Sequence, residues 1–143
     1  MILAAVLMAA MGGSTAMPAP ASVPASCPAS VVERWTGSTN TQYPFLRVAP
    51  TLTGMTMEMQ TGTIGAPGSA YAPMTTAGAT VVWHNTGRTV TIAAMRLDGT
   101  RHFNVVMPAL EGGRPLAFPD AGCWKLHVTS GLKTGDLVLW VAP

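Results

Sequence analysis

The sequence predicts an all-β domain, an antiparallel sandwich of about seven to nine short strands behind an N-terminal signal peptide. Three observations carry that expectation. Apolar and polar residues alternate over short runs, the period of a strand with one buried face. No window of useful length repeats at the helical period. Fifteen glycines and twelve prolines punctuate the 143 residues, and the frequent threonines suit half-exposed pleated surfaces.

Taken in chain order, the first element is an address. Met1 to Met11 is an unbroken apolar run, too short for the roughly 20 residues a membrane-spanning helix needs. Gly12, Gly13 and Ser14 follow at once, and small-x-small peptidase sites lie at Ser14-Thr15-Ala16 and Ala19-Pro20-Ala21. Residues 1–21 are therefore expected to be a signal peptide, although the first charge in the chain is Glu33 and the usual basic start is missing. Residues 22–30 have the Ala/Pro/Ser composition of a linker, and 31–143 are expected to form the domain. A rival reading makes Cys27 a lipidated residue, but Pro24 stands where a leucine is expected. The expected location is secreted or periplasmic, with no transmembrane span.

The strands follow. In Met55-Thr56-Met57-Glu58-Met59-Gln60 the methionines share one face. Thr80 to His84 and Thr89 to Met95 flank Asn85-Thr86-Gly87-Arg88, which has the composition of a hairpin turn. From Cys123 to Thr129, residues Trp124, Leu126 and Val128 lie on one face with Cys123, Lys125 and His127 on the other. Leu137, Leu139 and Val141 form one face of a closing strand. Asp120-Ala121-Gly122-Cys123-Trp124-Lys125-Leu126 resembles the D-x-G-x-Y-x-C segment at the tyrosine corner of immunoglobulin-like domains, with Trp124 in place of the tyrosine. The expected fold class is thus an immunoglobulin-like antiparallel β-sandwich. Leu126 replaces the cysteine of the usual inter-sheet bridge. Two cysteines in an exported chain instead predict a Cys27–Cys123 disulfide closing a loop of about 96 residues.

Composition excludes several functions. Charged residues make up 10% of the chain, the net charge is +2, and no basic run exists to follow a nucleic-acid backbone. Six scattered acidic residues, three histidines and the lack of any G-x-S-x-G, H-E-x-x-H or phosphate loop give no catalytic constellation. An enzyme is not expected, nor a cofactor. Thr80-Val81-Val82-Trp83-His84-Asn85 resembles a cupredoxin segment, yet Arg88 occupies the place of a histidine ligand and no methionine follows His127. Met55, Met57 and Met59 form an M-x-M-x-M stripe that could bind copper or another soft metal through thioethers; the competing reading is one core face of a strand. The densest charge, Arg96-Leu97-Asp98-Gly99-Thr100-Arg101-His102, reads either as a solvated hairpin loop or as a recognition loop in which Arg96, Asp98, Arg101 and His102 bind a partner.

Cys27-Pro28, Arg96-Leu97-Asp98-Gly99 and Phe118-Pro119-Asp120-Ala121-Gly122-Cys123-Trp124, followed by the apolar Leu137 to Val141, occur in that order over most of the chain after the leader. In this the chain resembles an uncharacterised group of bacterial exported domains, many of them lipoproteins. The resemblance implies an extracytoplasmic sandwich with its first and penultimate-strand cysteines paired, and it implies no activity. The function expected is an exported, non-catalytic binding or accessory domain with a cell-envelope or extracellular partner. Soft-metal handling through the methionine stripe is the alternative.

Overall fold

Alternation with a period of two builds the molecule. A computed structural model describes residues 22–36, 42–60, 74–109 and 113–143. Among them run ten strands: β1 (Glu33–Thr36), β2 (Gln42–Arg47), β3 (Thr56–Met59), β4 (Met74–Thr75), β5 (Ala79–His84), β6 (Thr89–Arg96), β7 (His102–Pro108), β8 (Arg114–Leu116), β9 (Gly122–Ser130) and β10 (Lys133–Ala142). A 3-10 turn spans Thr51–Thr53. The count exceeds the expected seven to nine because β4 and β8 have two and three residues, too short to show a period. The expected signal peptide, 1–21, lies outside the described residues.

Two five-stranded sheets face each other, ordered β1-β2-β3-β5-β8 and β4-β10-β9-β6-β7. Each described pairing is antiparallel save β4 beside β10, where Val141 faces Met74. Each long strand buries alternate residues: Val90, Ile92 and Ala94 on β6, Trp124, Leu126 and Val128 on β9, and Leu137, Leu139 and Val141 on β10. These meet Leu46, Met57, Met59, Val81 and Trp83 of the first sheet in one apolar layer. Within it Phe103, Phe118 and Trp124 form a ring cluster with centroids 5.4–5.5 Å apart. The Trp83 indole N–H points across the core at the Met107 sulfur, 3.2 Å away, which links β5 to β7.

One expectation fails. Residues Asn85 to Arg88 do not close a hairpin. Strand β5 pairs with β3 and β8, whereas β6 pairs with β7 and β9, so the segment crosses from one sheet to the other. Turn composition reports a reversal of direction; the sheet in which the next strand pairs is decided by contacts distant in sequence.

The corner and the closing strand follow the sequence closely. The Trp124 indole N–H donates to the Asp120 carbonyl at 3.0 Å, a tryptophan version of the tyrosine-corner bond. The outer edge of β10 is covered by three segments in turn. Asp136 and Ala49 exchange backbone hydrogen bonds, Ser30 N–H donates to the Val138 carbonyl, and β4 lies against Val141 and Ala142. Covering this edge removes a row of unpaired donors and acceptors that would otherwise invite aggregation. Part of the expected linker is therefore built into the domain. Cys27, 6% exposed, forms a disulfide with Cys123 at a Cα–Cα distance of 5.6 Å. Its sulfur is held in that bond, which overturns the reading of Cys27 as a lipid anchor. It also withdraws Cys123 from any copper site. Among the described residues no helix is long and apolar enough to cross a membrane.

Candidate functional site

The residues singled out by sequence fall in separate places. Met55, Met57 and Met59 are each 0–1% exposed and sit in the core layer. A metal reaching their sulfurs would have to displace packed side chains, so the stripe supplies core volume. Among the described residues no group of three or more His, Cys, Asp or Glu side chains could hold a metal ion.

Arg96, Asp98, Arg101 and His102 lie in and beside the β6–β7 hairpin. Gly99 takes a positive φ of 75°, as the tight loop demands. The Asp98 carboxylate accepts bonds from the Thr100 N–H at 3.0 Å and the Thr100 hydroxyl at 2.7 Å. These bonds lower the Asp98 pKa below the ordinary carboxylate value, the backbone bond having the larger share, helped by the Arg96 charge. The two arginines are internally paired, Arg96 with Asp98 and Arg101 with Asp120, each at 3.1 Å. Arg96 also lies over Gly122, which has no Cβ to exclude it. The arginine and aspartate charges of this exposed loop are paired with one another or with Asp120, whereas His102, also exposed, has no side-chain partner among the described residues.

On the outer face of the second sheet a different row forms. Register places His127 opposite Asp136, and the His127 Nδ1 lies 2.9 Å from the Asp136 carboxylate while its Nε2 lies 3.0 Å from the Thr134 hydroxyl. Lys125 approaches the other Asp136 oxygen at 3.5 Å. Hydroxyl, imidazole and carboxylate stand in the order of a nucleophile relay. Yet they lie on an exposed strand face, His127 at 53% and Asp136 at 41%, and β9 here is paired on both sides by β6 and β10. The backbone N–H groups of β9 here are engaged in those ladders and are not free to form an oxyanion hole.

Among the described residues, the outer face of the first sheet carries a concave feature with convergent chemistry. Outward residues of β2, β3 and β5 come together because register sets Phe45 opposite Glu58, Arg47 opposite Thr56, and Thr56 opposite His84. Together with Asn85 they line an open groove of about 320 Å³. Two diagonal cross-strand pairs organise it. The His84 Nε2 lies 2.6 Å from a Glu58 carboxylate oxygen, with Glu58 14% and His84 48% exposed. The Arg47 Nε donates to both Glu33 oxygens at 2.8 and 3.1 Å, and its guanidinium carbon stands 5.3 Å from the Phe45 ring centroid. Glu33's hydrogen bond, then its charge, raises the Arg47 pKa further. An apolar ring, a held guanidinium, an imidazole–carboxylate pair, a hydroxyl and an amide thus surround one hollow. Sequence reading missed it. Glu58 and Thr56 were visible only as the polar side of the methionine strand, and nothing local shows that β2 and β5 flank them.

No family model matches the chain, and neither a curated protein nor a solved structure matches it.

Proposed function

We propose that the chain is an exported, non-catalytic binding module, and that the groove between Phe45 and His84 seats its ligand. The observation that carries this reading is the convergence of Phe45, Arg47, Thr56, Glu58, His84 and Asn85 on one hollow of about 320 Å³. That volume is at the lower end for small-ligand sites, which combine an apolar surface with a few placed polar groups. The chemistry fits a saccharide of the cell envelope. A sugar ring offers a C–H face to an aromatic side chain and hydroxyls to planar donors and acceptors such as guanidinium, carboxylate and amide. Export is supported by the apolar leader with its small-residue sites and by the disulfide, a bond that persists in oxidising compartments.

The test is an array of bacterial envelope oligosaccharides probed with the disulfide-bonded protein. Retention of a defined glycan is expected, with Glu58→Gln and Phe45→Ala each weakening it about tenfold or more, as loss of a ligand-facing polar or aromatic contact does. Both side chains lie on the outer face, so thermal melts of the variants should stay close to the parent. Glycan retention unchanged in both variants would remove the groove from the proposal, and no retention at all would remove the ligand class.

A further inference from the structure

We propose that the end of the sandwich bearing Leu52 and Leu132 docks onto a membrane surface rich in anionic phospholipid. The proposal does not depend on the groove reading.

Leu132 occupies the β9–β10 turn and is 105% exposed; Leu52 occupies the 3-10 turn Thr51–Thr53 and is 96% exposed. Single exposed leucines are ordinary. Two that project completely from neighbouring loop tips are not explained by packing, because neither covers any part of the core. The loops belong to one end of the molecule and are tied together. The Lys133 ammonium donates to the Asn85 carbonyl at 2.6 Å, and the Asn85 amide donates to the Gly54 carbonyl at 2.9 Å. The Ser130 hydroxyl accepts from the Gly87 N–H and donates to the Thr89 carbonyl, both at 2.7 Å. The Asp136–Ala49 exchange anchors the approach to the 3-10 turn. The leucines are therefore held on ordered loops, and docking would require little further loop ordering.

Charge decides the partner. In the described tip segments, residues 48–54, 85–88, 108–109 and 130–133, the ionisable side chains are Arg88 and Lys133, and both are cationic. Apolar tips flanked by cations match a phospholipid interface, where leucine enters the headgroup–acyl boundary and the cations neutralise phosphates. A second copy of the chain would bring Arg88 and Lys133 against the same two cations across a twofold axis, a like-charge arrangement.

The experiment is flotation of the oxidised protein, from residue 22 onward, with vesicles of phosphatidylcholine alone or containing phosphatidylglycerol, at low and high salt. Binding to the anionic vesicles is expected, with loss as salt rises. Leu132→Ser should reduce the partition coefficient about fivefold and Leu52→Ser/Leu132→Ser by more than tenfold, since most of the buried apolar area would be gone. Arg88→Gln should weaken the preference for phosphatidylglycerol without changing the melt. Equal binding by the double leucine variant would overturn the proposal, as would absence of vesicle binding by the parent. A concentration-dependent dimer abolished by the leucine changes, with no vesicle binding, would assign the tip to a second copy instead. Glycan retention is unaffected in every arm, so failure here leaves the groove reading standing.

Discussion

At the scale of single residues, the fold rests on a few polar groups placed where water cannot reach. Ser130 is the sharpest case, being 3% exposed. Its hydroxyl accepts from Gly87 and donates to the Thr89 carbonyl, so one oxygen satisfies two backbone groups at the crossing between sheets. Ser130→Ala leaves both without that partner. A buried group deprived of its hydrogen bond costs about 1–3 kcal/mol, and urea denaturation should show a loss in that range. A midpoint equal to the parent's would mean that water replaces the hydroxyl freely. Trp124 acts at the opposite end of β9 through its bond to the Asp120 carbonyl. The two residues differ in how much of their role can be read from sequence. Trp124 has its partner four residues away, within a recognisable motif. The partners of Ser130 are more than 40 residues away, and a serine at a strand end carries no mark of them.

At the scale of elements, alternation made the long strands legible and left their pairing unread. The inward faces of β3, β9 and β10 are those expected from the sequence, because burial on one face forces a period of two. The segment Asn85 to Arg88 shows the opposite case. Its polar, glycine-containing run has the makings of a hairpin, yet the long-range pairings of β5 and β6 send the chain between sheets. Gly135 lies between these cases. Glycine inside a strand marks a close backbone approach, but only the folded chain reveals what approaches. It is the Ala49 carbonyl, with Val48 behind it, and a Cβ at position 135 would meet both. A backbone carbonyl held by its own bond to Asp136 cannot swing aside as a side chain can. Gly135→Ala is therefore expected to destabilise the domain by about 2 kcal/mol, in the range of overpacked cores. Hydrogen exchange should locate the damage at the Ala49 and Asp136 amides. Parent-like protection of those two amides would show that the strands separate slightly at no cost.

At the scale of the whole molecule, the sandwich is closed by one covalent bond between its described beginning and its penultimate strand. Pairing of Cys27 with Cys123 was legible from number, since two cysteines have one intramolecular choice. The groove was not, because it is a product of register among three strands and has no local signature. The disulfide and the groove also lie on different parts of the structure: the bond joins the N-terminal segment to β9 of the second sheet, whereas the groove is formed on β2, β3 and β5 of the first. This separation predicts that stability and binding respond independently. Cross-linking residues 96 apart removes loop entropy from the unfolded chain worth roughly 4–5 kcal/mol in the chain-entropy model. Set against the roughly 5–15 kcal/mol that holds a typical domain together, this is a large share. Cys27→Ala/Cys123→Ala should consequently shift the urea midpoint strongly downward, accompanied by loss of hydrogen-exchange protection at Ser30, whose N–H bonds to Val138. Below that lowered midpoint any glycan retained by the parent should be bound with parent affinity. A midpoint that does not move would show that the unfolded chain without the cross-link is already compact enough to have little loop entropy to lose. Weakened glycan binding by the folded variant would instead show that the N-terminal segment supports the first sheet as well as covering the edge of β10.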